Sequence, residues 1–392
     1  STSNFINVGF EPQVVLIKKT SSGNENWFIF DSMRGVPTGF AAATLIPNSA
    51  AVESAGSYGA IDFNATGFTL TSNTAGVNYS GSNYFYMAIR RPHKPASEFA
   101  ATQLFNVDAG ANTSPGFDTG FPVDTGLFRI PSSSGDFDFM ARLIQRRRVD
   151  SPSAGVEANK GDMAMFDFMD GWSDGLANSY IGYSWRRAPE YHDVVCYTGT
   201  GSSGATVSHN LGVVPEFIWI KRRDGSNYWE CYHSALGATK HINLNADLAA
   251  RTSSGRFNDT APTASVFTLG NDSNVNVSTG TYIAYLFASL DGIQKVGSYS
   301  GTGSNVDVDC GFSAGARFIL IKRTDDAGDW YLYDSVQGIV AGNDPYLLLS
   351  STAAQVTNTD YIDPLNAGFT VTSSAPAALN NSGSTYIFLA IA

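Results

Sequence analysis

Asp162, Asp167, Asp170 and Asp174 crowd around Trp172. Paired carboxylates beside an aromatic ring are the equipment of glycoside hydrolysis, and a loop rich in acids can hold Ca²⁺. The spacing lacks the alternating ligands of a calcium-binding loop. Asp167 also matches Asp62 and Asp363, which stand at the same place ahead of Gly67-Phe68 and Gly368-Phe369, as Asp167 does ahead of Gly171-Trp172. A structural turn is the reading that covers all three. Asp167, Asp170 and Asp174 are the weak metal candidates, and no cofactor is expected.

The histidines are His93, His192, His209, His233 and His241. His192-Asp193 and Ser208-His209 lie near Cys196, so a Ser/His/Asp or Cys/His nucleophile is conceivable in composition. Such a site needs a base within reach of the nucleophile and a group to orient it. Neighbours along a strand point to opposite faces, and the matching later position carries Asp309. Turn and strand-end roles are expected instead, and no catalytic residue is assigned. Arg146, Arg147 and Arg148 could contact lipopolysaccharide phosphates or an acidic neighbouring subunit, or form a solvated loop. Tyr331 and Tyr333, with Phe28 and Phe30, form aromatic rows that could stack on sugars, or else form a second core or a contact between units. Together with Trp172 they complete the surface and partner candidates. Thr198-Gly199-Thr200-Gly201 lacks the following helix that would make it a phosphate loop.

The 392 residues carry a net charge of −11 and 15% charged side chains. That disfavours a nucleic-acid partner held by phosphate contacts. Cys196, Cys231 and Cys310 are odd in number and widely spaced, which suits small buried thiols in a reducing cytoplasm better than a disulfide framework or zinc site. No apolar run reaches the ~18–20 residues of a helical membrane span, so membrane insertion is not expected. Ser1-Thr2-Ser3 has neither the basic start nor the apolar core of a signal peptide. A segment ahead of Ser1 is left open.

The elements that must position these residues come from a repeat. Gly9-Phe10, Gly120-Phe121, Gly212-Val213 and Gly311-Phe312 each lead into an apolar run that stops at Lys18, Arg129, Lys221 or Lys322. A polar turn follows, then an aromatic run from Trp27, Phe137, Trp229 or Trp330, and a closing run from Tyr84, Tyr180, Tyr282 or Tyr386. Short apolar runs between Gly, Ser, Asn and Asp turns predict an all-β protein of four tandem β-sandwich-like units. The boundaries are 1–91 for unit 1, 92–119 for a linker or long loop, 120–190 for a degenerate unit 2, 191–292 for unit 3 and 293–392 for unit 4. The closing runs are expected as central strands. The basic residues Lys18-Lys19, Lys221-Arg222-Arg223 and Lys322-Arg323 after the first strands of units 1, 3 and 4 are expected to be their exit into water, and Glu230 implies that one face of its strand is partly wet. Only units 3 and 4 show an extra leading segment, at Val195–Gly201 and Val296–Gly303. In unit 2, Asp124 and Gly126 interrupt the first strand.

Tyr197-Thr198-Gly199-Thr200-Gly201, His209 through Glu216, Cys310-Gly311-Phe312, Ile321 through Thr324, Trp185 through Pro189 and the ending Gly383 through Ile391 resemble a tandem-repeat β domain. It occurs in uncharacterised tail and virion structural proteins of tailed, often marine, phages and prophages. The resemblance covers essentially the whole chain, most weakly Pro92 to Asp150. It implies a protein assembled in the host cytoplasm and carried on the virion, in a tail fibre, tip or spike exposed for host attachment. It implies no catalytic residues. Its partners would be other virion proteins, further copies of itself (a trimer) and a host surface glycan or protein. The alternatives are a capsid- or tail-decorating protein that touches only virion proteins, and a polysaccharide-degrading spike built on the Asp162 to Asp174 loop.

Overall fold

Each unit opens on the same backbone turn. Gly9, Gly120, Gly212 and Gly311 have φ of +79°, +72°, +78° and +73°, and a Cβ at any of them would meet nothing within 4 Å. Glycine is chosen there for the left-handed backbone rather than for lack of room. The side chain two residues earlier caps three of these turns: Gly9 N donates to Asn7 Oδ1 (2.8 Å), Gly120 N to Asp118 Oδ1 (3.3 Å) and Gly311 N to Asp309 Oδ1 (2.8 Å). Asp309 is thus part of a turn.

The computed structural model describes every residue except 1–2, 22, 37–41, 56–60, 161–165 and 174–177. The fold is all-β, built from antiparallel sheets. Among the described residues the α-helices are Ser254–Phe257 and Ala377–Asn380, one turn each. Each unit has a main sheet containing an opening strand, a return strand and a closing strand. The opening strands are Pro12–Lys19, Thr125–Arg129, Phe217–Arg222 and Phe318–Arg323. The return strands are Trp27–Asp31, Phe137–Ala141, Glu230–His233 and Trp330–Asp334. The closing strands are Tyr84–Arg90, Ile181–Trp185, Thr281–Phe287 and Thr385–Ile391.

Register is identical in the four units. Lys18 pairs with Phe85, Arg129 with Ile181, Lys221 with Ile283 and Lys322 with Ile387. Because side chains alternate with period two, one face of each main sheet covers a small sheet and forms a private core. The small sheets are Asn4–Asn7, Gly67–Leu70 and Ile61–Asn64 in unit 1, Phe117–Asp118 and Gly171–Trp172 in unit 2, Ala205–Ser208 and Val266–Leu269 in unit 3, and Val306–Asp309, Gly368–Val371 and Ile362–Leu365 in unit 4. Val15, Ile17, Phe28 and Phe30 lie in that of unit 1, and Ile319, Ile321, Tyr331 and Tyr333 in that of unit 4.

The opposite faces of units 2, 3 and 4 meet in one shared core. It contains Leu127, Phe137, Phe139 and Trp185 from unit 2, Phe217, Trp219, Trp229 and Phe287 from unit 3, and Phe318, Leu320, Trp330 and Ile391 from unit 4. Aromatic contacts cross all three seams: Phe139 to Trp229 at 4.7 Å, Phe217 to Trp330 at 6.0 Å and Phe105 to Phe318 at 5.4 Å between centroids.

The seams repeat one hydrogen-bond pattern. The hairpin of unit 3 donates to the segment after the strand Arg147–Ser151 of unit 2, with Asn227 N to Ala154 O at 2.9 Å and Glu157 N returning to Arg223 O at 2.7 Å. Unit 4 does the same to unit 3, with Gly328 N to Asp247 O at 2.8 Å and Ala250 N to Thr324 O at 2.9 Å. Unit 2 does the same to unit 4, with Gly135 N to Thr352 O at 2.9 Å and Gln355 N to Pro131 O at 2.8 Å. The head-to-tail contact therefore closes on itself after three units, and units 2 to 4 form a ring.

Several expectations are corrected. The stretch 92–119 is not a linker: it holds the strand Phe105–Ala109, which pairs with Ile181–Trp185 and gives unit 2 the leading strand that His192–Thr198 and Gln294–Ser300 give units 3 and 4. Gly126 does not interrupt the Thr125–Arg129 strand. Instead, a Cβ there would come within 2.5 Å of the Trp172 ring, so glycine makes room for that ring. The basic residues at 221, 223 and 322 do not exit into water. Lys221, Arg223 and Lys322 are buried, as is Glu230 on the face expected to be wet. The closing strands of units 2 to 4 are central, but Tyr84–Arg90 of unit 1 is an edge strand.

Candidate functional site

Unit 1 meets units 2 and 3 around a buried guanidinium. Arg187 follows the closing strand of unit 2. It donates from Nη1 to Glu11 Oε1 (2.8 Å) and from Nη2 to Glu11 Oε2 (2.7 Å), a fork-to-fork pair. Its Nε donates to Asp193 Oδ1 of unit 3 at 2.8 Å, and its backbone N to Asp124 Oδ2 at 2.8 Å. Asn210 completes the cluster, its N on Asp193 Oδ2 (2.7 Å) and its Nδ2 on Glu11 Oε2 (3.1 Å). Burial works against the Arg187 charge, but Asp193 and Glu11 outweigh it and hold its pKa above the ordinary value. Burial alone would raise the Asp193 carboxyl, and Arg187 instead pulls it below its ordinary value. The cluster ties three units together.

Beside it a cleft of about 600 Å³ runs between the small sheet of unit 1 and the leading strand of unit 3. Phe5, Glu11, Asp62, Asn64, Thr66, Thr206 and Ser208 line it. Phe5 is half exposed, and the hydroxyl and amide groups around it offer hydrogen bonds beside an apolar face. That arrangement suits recognition of a polyhydroxylated ligand. Glu11, one of its lining carboxylates, is engaged by Arg187.

The acid loop is not assembled into a site. Asp167 and Asp170 are exposed, and the carbonyl of Asp170 accepts from Thr119 N (2.8 Å) and Gly120 N (2.9 Å). Asp162 and Asp174 lie outside the described residues. No group of three or more His, Cys, Asp or Glu able to hold a metal occurs among the described residues. Trp172 is no surface contact. It is buried, donates from Nε1 to Ser184 Oγ at 2.8 Å and stacks on Phe117 (4.8 Å) and Phe166 (5.3 Å). Tyr331 and Tyr333 are not a surface row either. They are buried in the private core of unit 4 against Tyr346, with centroids 4.9 and 5.8 Å away. Phe28 and Phe30 are buried in the same way in unit 1.

The three arginines belong to the body of unit 2. Arg147 and Arg148 lie in the strand Arg147–Ser151. Arg148 pairs with Asp138 (2.7 Å) and Asp150 (3.3 Å), and Arg147 with Glu157 (3.6 Å). Burial and the nearby Asp138 raise the Asp150 carboxyl to about 6. Arg146 turns the chain with φ +68°.

The histidines and thiols are not brought together as catalysts. His192 lies between Thr125 Oγ1 (2.9 Å from Nε2) and Leu286 O (3.0 Å from Nδ1), and burial lowers its pKa to about 4. His241 Nδ1 lies 2.6 Å from Glu230 Oε2, and Glu230 Oε1 faces Arg256 Nε at 3.0 Å and Asn274 Nδ2 at 2.9 Å. Burial raises the Cys196 thiol to about 11 and that of Cys310 to about 12, and raises that of Cys231 as well. Thiols held this far above neutral pH are not nucleophiles.

Sequence reasoning missed the basic residues that end the opening strands. Lys221 Nζ donates to Asn227 O (2.7 Å) in its own hairpin and to Ala154 O (2.9 Å) in unit 2. Lys322 Nζ donates to Gly328 O (2.5 Å) and, across the seam, to Asp247 O (3.0 Å). Arg129 reaches Ser133 O (3.2 Å) and, across the third seam, Ala353 O (2.8 Å). Burial lowers both Lys221 and Lys322 to about 8. The one signal available was that a basic residue recurs at the same place in every unit.

No curated protein matches the sequence. A family model, described as a domain of unknown function, DUF7483, matches residues 1–92 and 177–392. These two stretches take in unit 1, units 3 and 4 and the closing strand of unit 2, so the chain belongs to the DUF7483 family.

Proposed function

We propose that the protein is a non-enzymatic structural component of a phage virion, carried in a tail fibre, tip or spike and exposed there for host attachment. The observation that supports this reading most directly is how the buried ionisable groups are used. Arg187 with Glu11 and Asp193, Arg223 with Glu157, and the seam cations Lys221, Lys322 and Arg129 all fasten one unit to another. A body fastened in this way is a stiff mount for surface turns. The cleft beside Phe5 supplies a place for a host glycan. The resemblance of units 3 and 4 to virion repeat domains supports the same reading.

The test is to image particles labelled with antibody against this chain. Label at the tail end is the expected result. Label spread over the capsid or along the tube would move the protein to a decorating role, and unlabelled particles would sink the reading. Isolated chain added to host cells should also reduce particle adsorption.

A further inference from the structure

The inner face of unit 1 holds apolar side chains at the positions that build the shared core in the other units, yet among the described residues it joins no core. Phe85, Met87 and Ile89 are 52%, 46% and 48% exposed. Their register partners on the opening strand are Lys18, Leu16 and Val14. In unit 3 the same places are Ile283, Tyr285 and Phe287 opposite Lys221, Trp219 and Phe217, and all six are buried. In unit 4 they are Ile387, Leu389 and Ile391 opposite Lys322, Leu320 and Phe318, again all buried.

Both halves of the seam are present on unit 1 as well. Lys18 Nζ donates to Glu25 O, as Lys221 does to Asn227 O and Lys322 to Gly328 O. Trp27 N donates to Asn48 Oδ1 (3.0 Å), as Trp229 N does to Asn245 Oδ1 (2.9 Å) and Trp330 N to Ser350 Oγ (3.0 Å). These bonds put the segments in phase. Glu25 N is the counterpart of Asn227 N and Gly328 N, and Thr20 O the counterpart of Arg223 O and Thr324 O. On the receiving side, Ala50 O corresponds to Ala154 O and Asp247 O, and Glu53 N to Glu157 N and Ala250 N. In units 2 to 4 every one of these groups crosses a seam. In unit 1 none of the four has a hydrogen-bond partner among the described residues. The receiving segment from Asn48 to Glu53 is exposed throughout.

We propose that this face binds the same face of unit 1 in two further copies of the chain, giving a homotrimer whose centre repeats between chains the ring that units 2 to 4 make within one. The contact is heterologous, donor hairpin to receiving segment, and such contacts either close into rings or run on as filaments. Here the protein itself shows the closure number, because three in-phase copies of the seam close completely. The inference rests on the internal ring and not on a place in a particle, so either conclusion can fail without the other.

Light scattering of the full chain after size exclusion tests it. The expected mass is three times the 41.8 kDa of one chain. A monomer or a dimer overturns the proposal. The double variant Phe85→Glu, Met87→Glu alters residues already exposed, so its fold should survive, as far-ultraviolet circular dichroism would verify; its mass should drop to that of one chain. An unchanged trimer in that variant overturns the assignment of the face. A second variant, Glu25→Cys with Ala50→Cys, places thiols on the donor and receiving sides. Mild oxidation should give a covalent band of three chains on a denaturing gel, whereas a two-chain limit would mean a self-facing contact and overturn the ring.

Discussion

Single side chains in this protein are mostly fasteners between segments far apart in sequence. His192 joins the leading strand of unit 3 to Thr125 of unit 2. Its pKa of about 4 in the folded protein lies below the ordinary 6.5, so as pH falls the unfolded chain takes up the proton first. Its contribution therefore weakens steadily from pH 6.5 down to about 4, by on the order of 3 kcal/mol in all. The His192→Asn variant lacks that titration. Urea denaturation of both proteins should show the wild type losing this much relative to the variant across the window, and a pH-independent difference would contradict it. At this scale the recurrence of Lys18, Lys221 and Lys322 was legible in the sequence, but their burial was not. The acceptors Ala154 and Asp247 lie 67 and 75 residues away from Lys221 and Lys322, and no local pattern points to them.

Strands were the most legible elements, because an apolar run such as Phe318-Ile319-Leu320-Ile321 suits a sheet covered on both faces. What hid the Phe105–Ala109 strand was its composition: Phe105-Asn106-Val107-Asp108-Ala109 alternates and sits in a stretch rich in Gly, Ser, Thr and Pro. The equality of the closing runs also misled, since Tyr84–Arg90 reads like its three counterparts but among the described residues has a neighbour on one side only. An edge strand leaves alternate backbone N–H groups unpaired. Hydrogen exchange should therefore be fast at about half the amides of Tyr84–Arg90 and slow throughout Thr281–Phe287 and Thr385–Ile391. A trimer formed through the sheet face would leave that contrast in place, because the face and the edge are different surfaces. Uniform protection of all three strands would require a further strand beside Tyr84–Arg90.

The whole molecule is a ring of three units with a fourth clamped to its flank by Arg187. Units 2 to 4 share one core, so none can lose its inner face without exposing those of the other two. Unit 1 keeps a separate core. Calorimetry should accordingly resolve a main transition for the ring and a distinct one for unit 1. Four well-separated melts would mean that the shared core contributes little. The count of units was legible from the repeat, but the ring was not, because periodicity along a chain says nothing about which copies touch. The concatenation has a genetic corollary. In a complex of identical chains, one codon change alters every junction at once. Here the three junctions are encoded separately, so a substitution is felt at a single joint while two intact ones hold the circle shut. Phe137 in place of tryptophan and Arg129 in place of lysine show that latitude in use: the second copy departs from the others, and the architecture keeps its shape.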